Sequence, residues 1–174
     1  HAKNIVVRSN KAYAGGIFGY ETEASHITNC CIENFMVASS GDDVGGIGGY
    51  AISGTFGANS KNLDAKNGAV FGTNYVGGIF GQGILSNVSG VDNIIDNVFI
   101  GAKGSYAGGV AGLGYNVGLT TVKNSVIAVR TRGAGSIFGQ GRNDYYSTSY
   151  NNIVTSLYDR SEDVASNDKY QALY

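Results

Sequence analysis

The sequence predicts an all-β fold: a parallel β-solenoid (β-helix) of five to six coils of about 30 residues, ending in an irregular C-terminal tail. Three observations predict it. A glycine block recurs five times, an asparagine introducing a short segment recurs in step with it, and no window carries an apolar stripe at helical period. The expected division is a repeat domain over 1–155 and a cap or linker tail over 156–174.

The block reads Gly15-Gly16-Ile17-Phe18-Gly19-Tyr20, then Gly45-Gly46-Ile47-Gly48-Gly49-Tyr50 and Gly77-Gly78-Ile79-Phe80-Gly81-Gln82. It returns as Gly108-Gly109-Val110-Ala111-Gly112 and as Gly135-Ser136-Ile137-Phe138-Gly139-Gln140. First glycines are 30, 32, 31 and 27 residues apart. A unit of this size cannot bury its own apolar face, so it must stack on its neighbours. Identical positions then form ladders about 4.8 Å apart. Ile17, Ile47, Ile79, Val110 and Ile137 are expected to form one ladder inside the coil. At the next position Phe18, Gly48, Phe80, Ala111 and Phe138 mix large and small residues, which lets a ring lean over a glycine or alanine on the adjacent coil.

The marker asparagines are Asn4, Asn29, Asn62, Asn93, Asn124 and Asn152, expected to form a second column with amides bonded up and down the stack. Their distances to the next block are 11, 16, 15, 15 and 11 residues, which predicts an extra loop in the central coils. A propeller is a poorer fit, because a blade needs four strands and about 40 residues.

Composition limits function. The chain is 43% hydrophobic and only 14% charged, the reverse of a disordered chain, so its 28 glycines are read as structural, at positive φ or at close strand approach. A net charge of −1 with scattered signs offers no footprint for nucleic acid, and no apolar run reaches the length of a membrane span. The opening His1-Ala2-Lys3-Asn4 reads as the start of a fragment or mature segment. The charged tail, with Tyr145-Tyr146 before it, reads as a cover for the last sheet edge or as a passage to further domains of the same polypeptide.

The segment Ile27-Thr28-Asn29-Cys30, followed by Val44-Gly45-Gly46-Ile47-Gly48-Gly49-Tyr50, resembles the GLUG motif, which pairs an "x-N-C" strand with a "V-G-G-L-V-G" strand. Similar repeats extend from about Asn4 to Asn152, with Gly45, Gly46, Gly77, Gly78, Gly108 and Gly109 as structural glycines. The resemblance is to repeat regions of large bacterial surface or secreted proteins, including adhesin-like proteins and the non-catalytic part of IgA1-specific metallopeptidases. It implies a β-solenoid, an extracellular or cell-surface setting and no catalysis within the repeats. Ser136 departs from the pattern and suggests looser backbone demands in the last coil.

Residues that could carry chemistry are few. The histidines are His1 and His26, and no His-Glu-x-x-His zinc motif occurs, so neither a metal nor another cofactor is expected. His26 near Cys30 and Cys31 is a remote nucleophile–base pair; the plainer expectation is one core thiol and one outward thiol. Asp42-Asp43 is read as a solvated turn, with a carboxylate pair of a polysaccharide lyase or hydrolase as the sharper alternative. Arg130 and Arg132 share strand parity and suggest a small basic strip. Tyr13, Tyr75 and Tyr106 stand two residues before their glycine blocks, where Asp43 and Gly133 stand in the other two. Such rings could cover turns, or meet a host glycan or a protein ligand. Ice binding would need regular threonine rows, which are lacking.

Overall fold

A computed structural model describes residues 1–21, 27–51, 61–84, 93–117, 119–144 and 147–156. His26, Tyr145-Tyr146 and the tail 157–174 lie outside the described residues. The described chain is a β-solenoid of parallel strands in three sheets, with no helix. The first sheet contains the long strands Ala2–Ser9, Thr28–Ser39, Lys61–Gly72 and Asn93–Ala102. It continues through the shorter pairs Thr120–Lys123 with Val126–Val129 and Ser147–Tyr150 with Ile153–Ser156. The second sheet is five two-residue strands, from Ala14–Gly15 to Ala134–Gly135. The third runs from Phe18–Glu21 to Phe138–Asp144. The rungs make about four turns, slightly fewer than the five to six coils expected from the repeat markers.

Register confirms the aliphatic ladder. Ile17 N–H donates to Ile47 O, Ile47 to Ile79, Ile79 to Val110, and Val110 to Ile137. Ile47, Ile79 and Val110 are fully buried, and Ile17, on the terminal rung, is 43% exposed. Each fully buried aliphatic side chain contributes roughly 1.5–3 kcal/mol. The mixed-size column also stacks as expected. Phe18 and Phe80 pack with ring centroids 6.1 Å apart across Gly48, where a methyl group would overlap the Phe18 ring.

The glycine blocks make the bend between the second and third sheets, and they are there for space. A Cβ on Gly15, Gly45, Gly77 or Gly108 would overlap the carbonyl oxygen three residues ahead in its own turn. A Cβ on the second glycine meets the next rung instead: Gly46 would strike Gly78 O, Gly78 would strike Gly109 O, and Gly109 would strike Ser136 O. Ser136 holds the equivalent position on the last described rung of this sheet and is buried.

Positive φ belongs to other residues. Asn4, Asn34, Asn67, Asn97, Asn124 and Asn151 all have φ between 52° and 57°, and register aligns them in one column within the first sheet. Asparagine tolerates this left-handed region better than other residues with a Cβ. Each forms a corner that turns the strand while keeping residues on both sides, such as Ile32 and Phe35, inward and buried. Amides bridge rungs: Asn34 donates to Asn4 at 3.5 Å, Asn97 to Asn67 at 2.9 Å and Asn151 to Asn124 at 3.4 Å.

The six marker asparagines do not share a column. Asn4 and Asn124 are corner residues. Asn29 and Asn62 pair with each other upstream, at 2.7 Å. Asn93 is buried beside Leu63 and Thr120, while Asn152 bonds Ser125 N at 2.9 Å. From the corner asparagine to the glycine block the distance is 11, 11, 10, 11 and 11 residues, so this arm holds no extra loop. The apparent excess came from asparagines four or five residues upstream of the corner.

Gly109→Ala should destabilise the protein by about 3 kcal/mol or more, because its methyl group meets backbone that cannot yield. Ser136→Ala should change stability by less than about 1 kcal/mol. Urea unfolding of the two variants checks this, and equal losses would refute it.

Candidate functional site: a tyrosine corner

The corner entering the second sheet holds Tyr13, Asp43, Tyr75, Tyr106 and Gly133 in successive rungs. All five have positive φ: 62°, 57°, 51°, 63° and 77°. Backbone bonds join the rungs here, from Ala14 N to Asp43 O, Val44 N to Tyr75 O, Val76 N to Tyr106 O and Ala107 N to Gly133 O. The left-handed region costs a residue with a Cβ about 1–2 kcal/mol, and for a bulky ring it is a genuine outlier. Only Gly133 occupies it freely.

Three of the expected binding residues, Tyr13, Tyr75 and Tyr106, thus share an angular position. Tyr75 and Tyr106 stack with centroids 5.4 Å apart and planes at 9°. Tyr13 is separated from them by Asp43, and packs instead with Tyr20 at 4.8 Å and Tyr50 at 5.6 Å. Tyr20 and Tyr50 stack at 5.1 Å. These two come from the third sheet, where register places Tyr20 beside Tyr50 and Tyr50 beside Gln82. The result is two aromatic groups along one edge of the rod, with Asp43 between them in the column. Burial raises the phenols of Tyr50 and Tyr75, so both remain neutral hydrogen-bonding groups at physiological pH.

Arg132 joins this surface, with its guanidinium 5.6 Å from the Tyr106 ring centre, within cation–π range. Arg130 does not. The strand ends at Val129, so parity no longer governs the two arginines, and Arg130 lines a groove on the first sheet instead. The expected basic strip is divided. Lys123, in the same coil, forms an ion pair with Asp96 at 3.3 Å. It belongs to an outward column of alternating sign: Lys3, Glu33, Lys66, Asp96 and Lys123.

Asp43 is not in a solvated turn. Its side chain is buried, and Oδ1 has no hydrogen-bond partner. Burial, with a smaller contribution from Asp42, raises its carboxyl to about 6, against an opposing hydrogen bond from Gln82. Asp42 instead accepts from Asn74 N at 3.1 Å and Asn74 Nδ2 at 3.0 Å. The spacing to the glycine block already set Asp43, and not Asp42, at the position of Tyr13, Tyr75 and Tyr106, but its burial appears only in the structure.

Both cysteines are free. Cys30 packs against the core, while the Cys31 sulfur lies 3.9 Å from His1 Nε2. Burial raises the Cys31 thiol, which disfavours the reactive thiolate. Among the described residues no group of three or more His, Cys, Asp or Glu could hold a metal ion. No helix among them is long and apolar enough to cross a membrane. Comparison with family models, curated proteins and solved structures returns no match.

Asp43 makes stability depend on pH. Between the ordinary carboxyl value of 3.8 and about 6, the folded chain holds a proton that the unfolded chain has released. Stability therefore falls as pH rises through that window, and the loss is complete above it. Asp43→Asn keeps a residue that tolerates the corner and removes the charge. It should raise stability by about 2 kcal/mol at pH 8 and change it little at pH 3.5, measured by urea unfolding. An equal difference at both pH values would contradict this.

Proposed function

We propose that the chain is a non-catalytic, GLUG-like repeat module of a larger bacterial surface protein. It acts outside the cell in adhesion, or as a spacer for other domains of the same polypeptide, and its tyrosine corner is the contact surface. One observation carries the reading: three tyrosines occupy a strained backbone position where Gly133 meets the same geometric need without strain. Strained residues of this kind concentrate at functional sites. The rings offer what a sugar needs, apolar faces with polar tips, and Arg132 adds a cation for an acidic sugar or protein side chain.

A polysaccharide-active enzyme is the second reading, favoured by the raised carboxyl of Asp43, a property general acids share. Incubation with a panel of polyuronates separates the two. Shortened or unsaturated products that vanish in Asp43→Asn would replace adhesion with catalysis.

The adhesion reading predicts a separation of stability from binding. In the double variant Tyr75→Gly/Tyr106→Gly, relief of backbone strain offsets lost ring packing, so the urea midpoint should stay close to that of the unaltered protein. Affinity for an oligosaccharide bound by that protein should fall about tenfold, the worth of two modest ring contacts. Calorimetric titration after a glycan-panel screen measures it. Unaltered affinity with lowered stability would mean that the rings merely shield the corner.

A further inference from the structure

On its outer side the first sheet has a second surface, which shares no residue with the tyrosine corner. Register aligns Arg8, Ala38, Phe71, Gly101, Ala128 and Thr155 as one outward column crossing all six rungs. Parallel to it runs the column of Val6, Met36, Ala69, Phe99, Val126 and Ile153, also outward. Val6 is 65% exposed and Ile153 63%. Phe71 and Phe99 pack at 5.3 Å and form a ridge. Between this ridge and the bend that follows the strands lies a groove of about 720 Å³. Its floor is apolar, with Phe71, Ala38 and Ala128, and its charged lining is Arg8, Lys103 and Arg130. No acidic side chain lines it, and among the described residues none of the three cations forms an ion pair.

We propose that this groove binds a small, free anionic amphiphile: a molecule with an apolar body and a carboxylate or phosphate head. The volume falls within the roughly 300–1,000 Å³ of small-molecule sites. An apolar floor supplies burial for a hydrocarbon or ring system, and a lining charged only by cations selects against a neutral or cationic head. Length also fits. Six rungs span about 24 Å, enough for an extended chain of a dozen carbons laid along the axis with its head at a cationic end.

Calorimetric titration of the whole chain tests this, using dodecanoate below its micellar concentration, with dodecanol and acetate as partial analogues. Dodecanoate should bind at least tenfold more tightly than either analogue. The surface variant Arg8→Gln/Arg130→Gln should weaken dodecanoate about tenfold. Ala128→Phe, which fills the groove, should abolish binding, and Ala38→Phe provides the same test on another rung. Equal binding of dodecanol removes the requirement for an anionic head and overturns the proposal. So does dodecanoate affinity unchanged in both filled variants. Binding only to phosphatidylglycerol vesicles would assign the face to a membrane surface, and a concentration-dependent dimer lost in Phe71→Ser would assign it to self-association. Either result overturns the small-ligand site. Because the tyrosines take no part, failure here leaves the adhesion reading intact, and failure of that reading leaves this one.

Discussion

Backbone pressed against backbone at the bend between the second and third sheets is the constraint on which the rod depends. There the second glycine of each rung faces the next rung's carbonyl oxygen with no room for a methyl group. Such contact brings rungs to sheet spacing even where the second sheet is only two residues wide. It also keeps Ile47, Ile79, Val110 and Ile137 in line beneath the bend, so the core is a column of similar side chains. Steric demand runs from each rung to its successor, from Gly46 to Gly78 O, from Gly78 to Gly109 O and from Gly109 to Ser136 O.

The corners are a separate problem, with a different chemical solution. Turning a strand inward on both sides requires positive φ, and the chain supplies asparagine for this within the first sheet. The amides lose little by adopting the conformation and gain partners on adjacent rungs. At the corner before the second sheet the residues are tyrosine, aspartate and glycine, and the contrast is informative. Glycine shows what the backbone needs; the tyrosines add rings that the turn does not require. Rigid rungs on either side hold those rings at fixed spacing. A ligand need not order them on binding, which reduces the entropic cost of recognition.

Much of the fold was legible in the sequence, because the glycine spacing reports the coil directly. The aliphatic ladder and the pairing of large with small residues at Phe18, Gly48 and Phe80 followed from that spacing alone. The asparagine column did not. Asparagine occurs both at the corner (Asn34, Asn67, Asn97) and a few residues upstream (Asn29, Asn62, Asn93); Asn29 and Asn62 share the positive φ of the corner residues, and only register across the rungs distinguishes the two sets. The tyrosine positions were visible as a register, yet the meeting of Tyr13 with Tyr20 and Tyr50 joins two sheets and appears only in three dimensions. Burial of Asp43, the alternating charges from Lys3 to Lys123 and the outward groove were hidden for a related reason. Each depends on which residues of different coils lie side by side, and coils of unequal length obscure that alignment.

The most direct measurement of in-register stacking is the distance between spin labels at Val6 and Ile153, two exposed positions of one column. Five rung intervals place them about 24 Å apart. Excision of residues 67–96, one full coil between equivalent corner asparagines, should leave a folded chain whose label distance shortens by about 4.8 Å. A distance unchanged by the excision, or a chain that unfolds because its coils are not interchangeable units, would contradict the account.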